Sequence, residues 1–164
     1  MARQLWLLRH ADAEPHGSRE DAKRRLTERG EQQARAAGAA LARLDVDFAV
    51  VLYSPKVRAR QTAELAAEAW DGGLQAPLEE HAPLEGGFDA RQALDAIAGM
   101  DGPVLLVGHE PDLSTVVAAL TGARIDLKKG GLAVVRLEGA GGELAVLMRP
   151  RELSLIAGVP VGGH

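Results

Sequence analysis

Apolar and polar positions along this chain follow two rhythms, and each change of rhythm predicts a new element. Leu5–Leu8 is a continuous apolar run ending in Arg9-His10, the pattern of a strand covered on both faces. Ala11 to Arg25 is polar and carries Pro15 and Gly17, which predicts a loop. Thr27 is an N-cap candidate. Ala34, Ala37, Leu41 and Leu44 then recur at spacings of three and four, predicting an amphipathic helix to about Leu44. Phe48–Tyr53 is the next apolar run, stopped by Ser54-Pro55. A second helix is expected from about Lys56 to Trp70, with Val57, Leu65, Ala66 and Trp70 as its buried stripe and Gly72-Gly73 as its stop.

Gly72 to Phe88 reads as a loop with room for one short strand, and Ala90–Met100 as a helix with Leu94 and Ile97 facing inward. Pro103–His109 repeats the opening pattern, an apolar strand whose end delivers a histidine. Glu110-Pro111 opens a helix carrying Leu113, Val116, Val117 and Leu120. Leu132–Leu137 and Glu143–Met148, on either side of a Gly-rich turn, read as a hairpin. Strands alternating with helices imply βαβ units. The expectation is a three-layer α/β/α fold with a mostly parallel open sheet and an antiparallel strand at one edge. The 164 residues suit a single domain, 1–164.

Composition narrows the classes. Nineteen Lys plus Arg against twenty-three Asp plus Glu give a net charge of −4, so any affinity for an anion must come from a local cluster. Two Trp, one Tyr and two Phe leave almost nothing from which to build a base-stacking platform, so no nucleic-acid partner is expected. Without cysteine there are no disulfides, thiolate metal sites or Cys nucleophile. No stretch approaches the apolar length of a membrane span, and the N-terminal run is interrupted at Arg9, so a cytoplasmic protein with no membrane partner is expected.

In an open α/β sheet, ligands bind outside the carboxyl ends of the strands. The first predicted strand ends in Arg9-His10, the second in Ser54-Pro55 with Arg58 just beyond, and the fourth in Gly108-His109. A histidine at one strand end is commonly a packing residue. Two Arg and two His at three strand ends are a different matter. Guanidinium groups present forked donors to phosphate oxygens, a neutral imidazole can attack phosphorus, and a second can donate to a non-bridging oxygen. The residues alone suggest a phosphoryl site.

Leu8-Arg9-His10-Ala11 resembles the Arg-His-Gly signature of the histidine phosphatase (phosphoglycerate mutase-like) superfamily, with Ala11 in place of the usual Gly. The run from Ser54 to Ala63 is similar to that family's second block and Val107-Gly108-His109 to its third. Thr27, Gly30, Gln33 and Ala34 match the family's pattern at the start of the first helix. The resemblance implies that His10 is a nucleophile that becomes phosphorylated, that Arg9, Arg58 and His109 form the phosphate pocket, and that no metal or other cofactor is needed. Between Trp70 and Pro103 there is no room for the lid of larger relatives, so the chain most resembles the small SixA-type phosphohistidine phosphatases, which also carry the acidic residue at Asp12. A phosphorylated protein would then be the substrate. A small phosphate ester is the alternative if Glu85 serves as acid, and Glu85 is equally readable as a solvated loop carboxylate. Ser54 and Asp12 are weaker candidates for the pocket, and Glu14 could orient a ring or a water.

Two rival readings remain open at this point. His10, Asp12, Glu14, His16 and His109 offer enough donors for a divalent metal, though Arg9 and Arg58 would repel it. A phosphate-binding module without catalysis is the other, against which the presence of His10 argues. Arg19, Lys23, Arg24 and Arg25 are either a basic docking rim or a solvated loop, and His16, His81 and His164 read as surface residues.

Overall fold

A computed structural model describes residues 3–139 and 141–159. Leu5, Leu7 and Leu8 are fully buried in β1 (Arg3–Arg9), and their alternation splits the core in two. Leu5 and Leu7 point to one face of the sheet, where they meet Val104 and Leu106 of β4 (Val104–Gly108) and the helices α3 (Ala90–Ile97) and α4 (Asp112–Thr121). Trp6 and Leu8 point to the other, against α1 (Glu28–Arg43), α2 (Val57–Glu68) and α5 (Pro150–Ala157). A strand that must satisfy both layers has no polar face, which explains its unbroken apolar run.

Six strands form one sheet. With β2 (Val50–Tyr53), β3 (Leu78–Glu80), β5 (Leu132–Glu138) and β6 (Gly141–Met148), its order is β3-β2-β4-β1-β5-β6. β1, β2, β3 and β4 pair in parallel, β5 runs antiparallel to β1, and β6 closes the edge as the hairpin partner of β5. The expected three-layer architecture and antiparallel edge pairing are therefore present. The hairpin contains Ala140, which lies outside the described residues, as does His164.

Three details differ from the sequence expectation. In α3 the inward residues are Ala93 and Ile97, whereas Leu94 is exposed. A capping box between Asp89 and Gln92 fixes the start of this short helix, and with it the face that carries Ala93 and Ile97 inward. In α2, Val57, Leu65 and Trp70 are only partly buried, and the buried face is Arg58, Ala59, Thr62, Ala63 and Ala66. A stripe of small residues lets α1 approach: a Cβ on Gly38 would sit 2.0 Å from the Ala66 carbonyl oxygen. The same rotation carries Arg58 inward. Finally, α5 has no counterpart among the predicted elements, although Pro150 at its first turn, Leu153 and Ala157 on one face and Gly158 as left-handed C-cap are ordinary helix signals.

The first predicted loop is more ordered than its composition suggests. A 3-10 turn at Asp21–Lys23 and a bridge between Ala13 and Leu26 brace it, and α1 holds it from below. The Asp12 backbone N–H donates to Gln33 Oε1 at 2.9 Å, and the Thr27 hydroxyl donates to Asp12 Oδ2 at 2.7 Å while Thr27 also caps α1 at Gly30. Gly30 is required for this approach, since a Cβ there would lie 1.9 Å from the Asp12 carbonyl oxygen. The residues of the helix-start pattern thus hold the backbone that follows His10.

Candidate functional site

The parallel strands deliver their ends to one crevice. The pairing of β1 with β4 continues through His10, whose N–H donates to the Gly108 carbonyl at 3.0 Å. The His10 carbonyl in turn accepts from Gly130, in a tight turn at which Gly130 has φ of +75°. Ser54 is fixed at the end of β2 by donating its N–H to the Val107 carbonyl, and Arg58 follows in the first turn of α2. The result is a crevice of about 160 Å³ whose lining includes Arg9, His10, Arg24, Arg58, His109 and Glu110. His10, Arg58 and His109 are almost wholly buried, and the two imidazoles lie 5.2 Å apart between ring centroids.

The tautomer of each ring follows from its partners. His10 Nδ1 is 2.8 Å from the Ala11 carbonyl oxygen, which can only accept, so the proton sits on Nδ1 and the Nε2 lone pair is free. Burial pushes the His10 pKa down to about 2, opposed by the Ala11 carbonyl and reinforced by the charge of His109, Arg58 and Arg9. Burial and then the positive charge of Arg58 and Lys56 push His109 down to about 3. His109 Nε2 is 2.7 Å from Ser54 Oγ, and that oxygen already accepts the Lys56 N–H at 3.2 Å. Ser54 is fully buried and, among the described residues, its hydroxyl proton has no acceptor other than Nε2, so the hydroxyl donates to that nitrogen and the His109 proton sits on Nδ1.

Nδ1 of His109, Nε of Arg9 and Nε of Arg58 are buried with no hydrogen-bond partner among the described residues. Orphaned donors are rare in folded interiors, and three of them on residues of one crevice describe a cradle for an acceptor-rich ligand. The rest of each guanidinium is anchored. Arg9 donates to the Leu127 carbonyl, and Arg58 donates to the Asp21 carbonyl at 2.8 Å and to its carboxylate at 3.3 Å. Asp21 also binds Arg24 and Lys56. Although burial works the other way, hydrogen bonds from Arg24 and the charge of Arg58 and Lys56 hold its carboxyl well below the usual carboxylate range. Thr62 completes the frame by accepting the Ala11 N–H and donating to the Arg58 carbonyl. One hydroxyl ties the loop that follows His10 to the helix that carries Arg58.

Not every sequence candidate is in the crevice. Arg9, His10, Arg58 and His109 are brought together. Ser54 is fully buried behind His109 and reaches the crevice through that ring. Asp12 turns toward Thr27 and Lys129 and is absent from the crevice lining. Glu85 is exposed at the end of a 3-10 turn, Ala82–Glu85, and no residue between 69 and 103 lines the crevice. Of the basic loop, Arg24 is buried and lines the crevice, held by Asp21 and the Glu14 carbonyl, whereas Arg19, Lys23 and Arg25 remain exposed. Sequence reasoning missed the distinct position of Arg24 and the anchoring role of Asp21, because a polar loop has no periodicity to separate inward from outward residues. Thr62 was visible only as part of a motif. His16 is exposed at the rim, and His81 packs against Phe88.

The metal-ligand reading finds no assembled donor set: among the described residues, no three His, Asp or Glu side chains gather closely enough to hold an ion. No helix among the described residues is long and apolar enough to cross a membrane.

Two expected outcomes test this geometry. Ser54→Ala should weaken the binding of orthophosphate about tenfold with little change in melting, the scale of one lost orienting hydrogen bond. Unchanged affinity would show that the orientation of His109 does not depend on Ser54. Both buried rings take up a proton less readily in the folded than in the unfolded chain, so each contributes stability that is complete above the ordinary histidine pKa near 6.5 and lost as pH falls toward the folded values. The loss per ring is roughly 1.4 kcal/mol per pH unit. Thermal melts at pH 7.5 and pH 5 should therefore show a drop that shrinks in His109→Asn; an equal drop in that variant would contradict a buried, neutral His109.

Buried arginines and imidazoles gathered at the carboxyl ends of a parallel sheet define a site for a tetrahedral oxyanion. The chain belongs to the histidine phosphatase superfamily: the model for branch 1 of that superfamily matches residues 5–85, which include His10 and Arg58, while His109 lies beyond the matched stretch. An uncharacterized protein of Picosynechococcus sp. is 32% identical over 169 residues, covering 92% of this chain and 98% of its own. Among solved structures, the protein histidine phosphatase SixA complexed with tungstate superposes with a TM-score of 0.81 at 26% identity, covering 92% of this chain and 99% of that one. A SixA-like structure from Nakamurella multipartitia superposes with a TM-score of 0.76 at 27% identity, covering 92% and 97%.

Proposed function

We propose that this protein removes phosphate from phosphohistidine in proteins, through an intermediate phosphorylated on His10. The observation that carries the reading is the neutral His10 ring with its proton committed to Ala11, set beside three buried donors that have no partner among the described residues. His10 Nε2 attacks phosphorus and the P–N bond of the substrate breaks. The departing imidazole takes the electron pair and then a proton from solvent. Water next attacks the phosphoryl group on His10, the enzyme's P–N bond breaks, and orthophosphate leaves. Arg9, Arg24 and Arg58 offset charge on the equatorial oxygens in both steps, and the Nδ1–H of His109 donates to one of them.

The preference for a phosphoramidate over an ester rests on the crevice's carboxylates. Glu14 is held ionised, chiefly by the backbone N–H of Arg25, and so has no proton to give. Glu110 accepts from the backbone N–H and hydroxyl of Ser114. Glu85 is outside the lining. An alkoxide leaving group would need an acid, whereas imidazole departs with less help. The SixA likenesses, the first described as a protein histidine phosphatase, support the same substrate class.

A panel of a phosphohistidine peptide, p-nitrophenyl phosphate and a sugar phosphate tests the proposal. Hydrolysis of the phosphohistidine peptide at the highest kcat/KM, undiminished by EDTA, is expected. Turnover of the two esters with the phosphohistidine peptide untouched would overturn it and direct attention to Glu85→Gln, which should then lower ester hydrolysis.

A further inference from the structure

A second positively charged concavity lies beside the crevice. This groove, of about 520 Å³, is lined by Arg9, Arg29, Lys128, Lys129, Arg149 and Arg151, with Asp12 the one carboxylate among its lining residues. Arg9 and Lys129 line both concavities, so the two are contiguous. In a chain of net charge −4, six cations facing one carboxylate reverse the overall sign locally.

The cations come from four separate parts of the fold: the end of β1, the first turn of α1, the turn preceding β5, and the start of α5. Several already have a neighbour. Lys128 reaches Asp126 at 2.7 Å, Lys129 is 3.8 Å from Asp12, and Arg149 makes two bonds to the Glu152 carboxylate. Arg29 and Arg151 make no ion pair among the described residues, and Arg29 Nε is buried without a partner. Single charges spread along the walls match a chain of separate carboxylates better than one compact polyanion, whose charge would call for donors converging on a point, as they do in the crevice. Pro150 and the stems of the long side chains supply the apolar floor that an extended backbone would cover.

We propose that this groove docks an acidic segment adjoining the phosphohistidine of the protein substrate; the inference rests on the phosphatase reading above. Attraction across it would raise encounter and lower KM without entering the chemistry.

The test uses three phosphohistidine peptides of equal length, with three glutamates before the phosphohistidine, three after it, or glutamines throughout. Wild-type protein is expected to hydrolyse one acidic peptide with kcat/KM roughly 10-fold above the neutral one, mainly through KM, and to lose the difference at high salt. In the double variant Arg29→Gln/Arg151→Gln the acidic-to-neutral ratio should fall toward one. Equal rates on all three peptides with the wild type, or an unaltered ratio in the variant, would overturn the inference. If the wild type cleaves no phosphohistidine peptide, the functional reading fails, and the groove is judged by fluorescence anisotropy. Labelled hexaglutamate should bind above hexaglutamine at low salt and weaken in the variant, and no such difference overturns docking. A preference for a small bisphosphate over a monophosphate that the same variant abolishes would assign the groove to a small polyanion, also overturning it.

Discussion

His10→Ala is expected to abolish turnover of every phosphoryl substrate, by a factor of roughly 10,000 or more, while leaving the melting temperature near that of the wild type. The factor is large because no other group can take over. His109 has its Nε2 occupied by Ser54 and its proton on Nδ1, so it has no lone pair to present. Ala11, whose carbonyl orients the ring, has no nucleophilic side chain. A cradle without a nucleophile retains binding, so orthophosphate should still protect the variant in a thermal shift assay. Brief incubation with ³²P-phosphohistidine peptide, followed by denaturation, should leave acid-labile, alkali-stable label on the wild-type chain and none on the variant. Label that persists in His10→Ala, or activity above a hundredth of wild type, would remove His10 from the mechanism and revive the water-attack alternative. Removing the ring also removes one of the two acid-sensitive groups, so the variant should lose less stability than wild type on going to pH 5.

Arg58→Ala carries the next largest effect, a fall in kcat/KM of roughly 100- to 1,000-fold, the scale set by deleting one preorganised donor from a transition-state site. Arg58 is held by the Asp21 carbonyl and carboxylate, which leaves its Nε as a buried, oriented donor before any substrate arrives. Arg58→Lys should recover part of the KM and little of the kcat, because an ammonium group restores charge without the planar fork. Competitive inhibition by orthophosphate should weaken in parallel. If Arg58→Lys restores full activity, the guanidinium acts as a point charge only, and the argument from its geometry is wrong. Asp21 keeps Arg24 and Lys56 in the alanine variant, so the loop should stay in place and the loss should appear in kinetics more than in stability.

Much of this was legible in the chain because it obeys strong local rules. The unbroken apolar run of Leu5–Leu8 identified a doubly covered strand, and the ends of three such runs placed Arg9, His10, Arg58 and His109 together. Thr27 was readable as a cap because a hydroxyl before an amphipathic helix satisfies the free N–H of Gly30. The misses share another cause. The inward face of α2 is small and polar, so hydrophobic periodicity selected Val57, Leu65 and Trp70 in place of Ala59, Thr62 and Ala63. Arg24 and Asp21 lie in a loop, where the direction of a side chain is set by partners far off in sequence, Glu14 and Arg58 among them. Glu85 was readable either as an acid or as a solvated loop carboxylate, since a loop pattern does not separate the two, and the 3-10 turn at Ala82–Glu85 leaves it exposed. Local pattern reports doubly covered strands well, and helix faces of small residues and orientation in loops poorly.

The start of α5 separates two mutational regimes. Its Leu153 and Ala157 are buried against α1, while Arg149 and Arg151, one turn earlier, are exposed. Exchanging either exposed cation costs the fold a fraction of a kcal/mol, about the worth of a surface contact, whereas Leu153 and Ala157 sit in an interior where a change of volume destabilises the whole chain. The rim of this protein can therefore change its charge, and with it the segments it attracts, without loss of the fold, while the apolar face of the same helix cannot change.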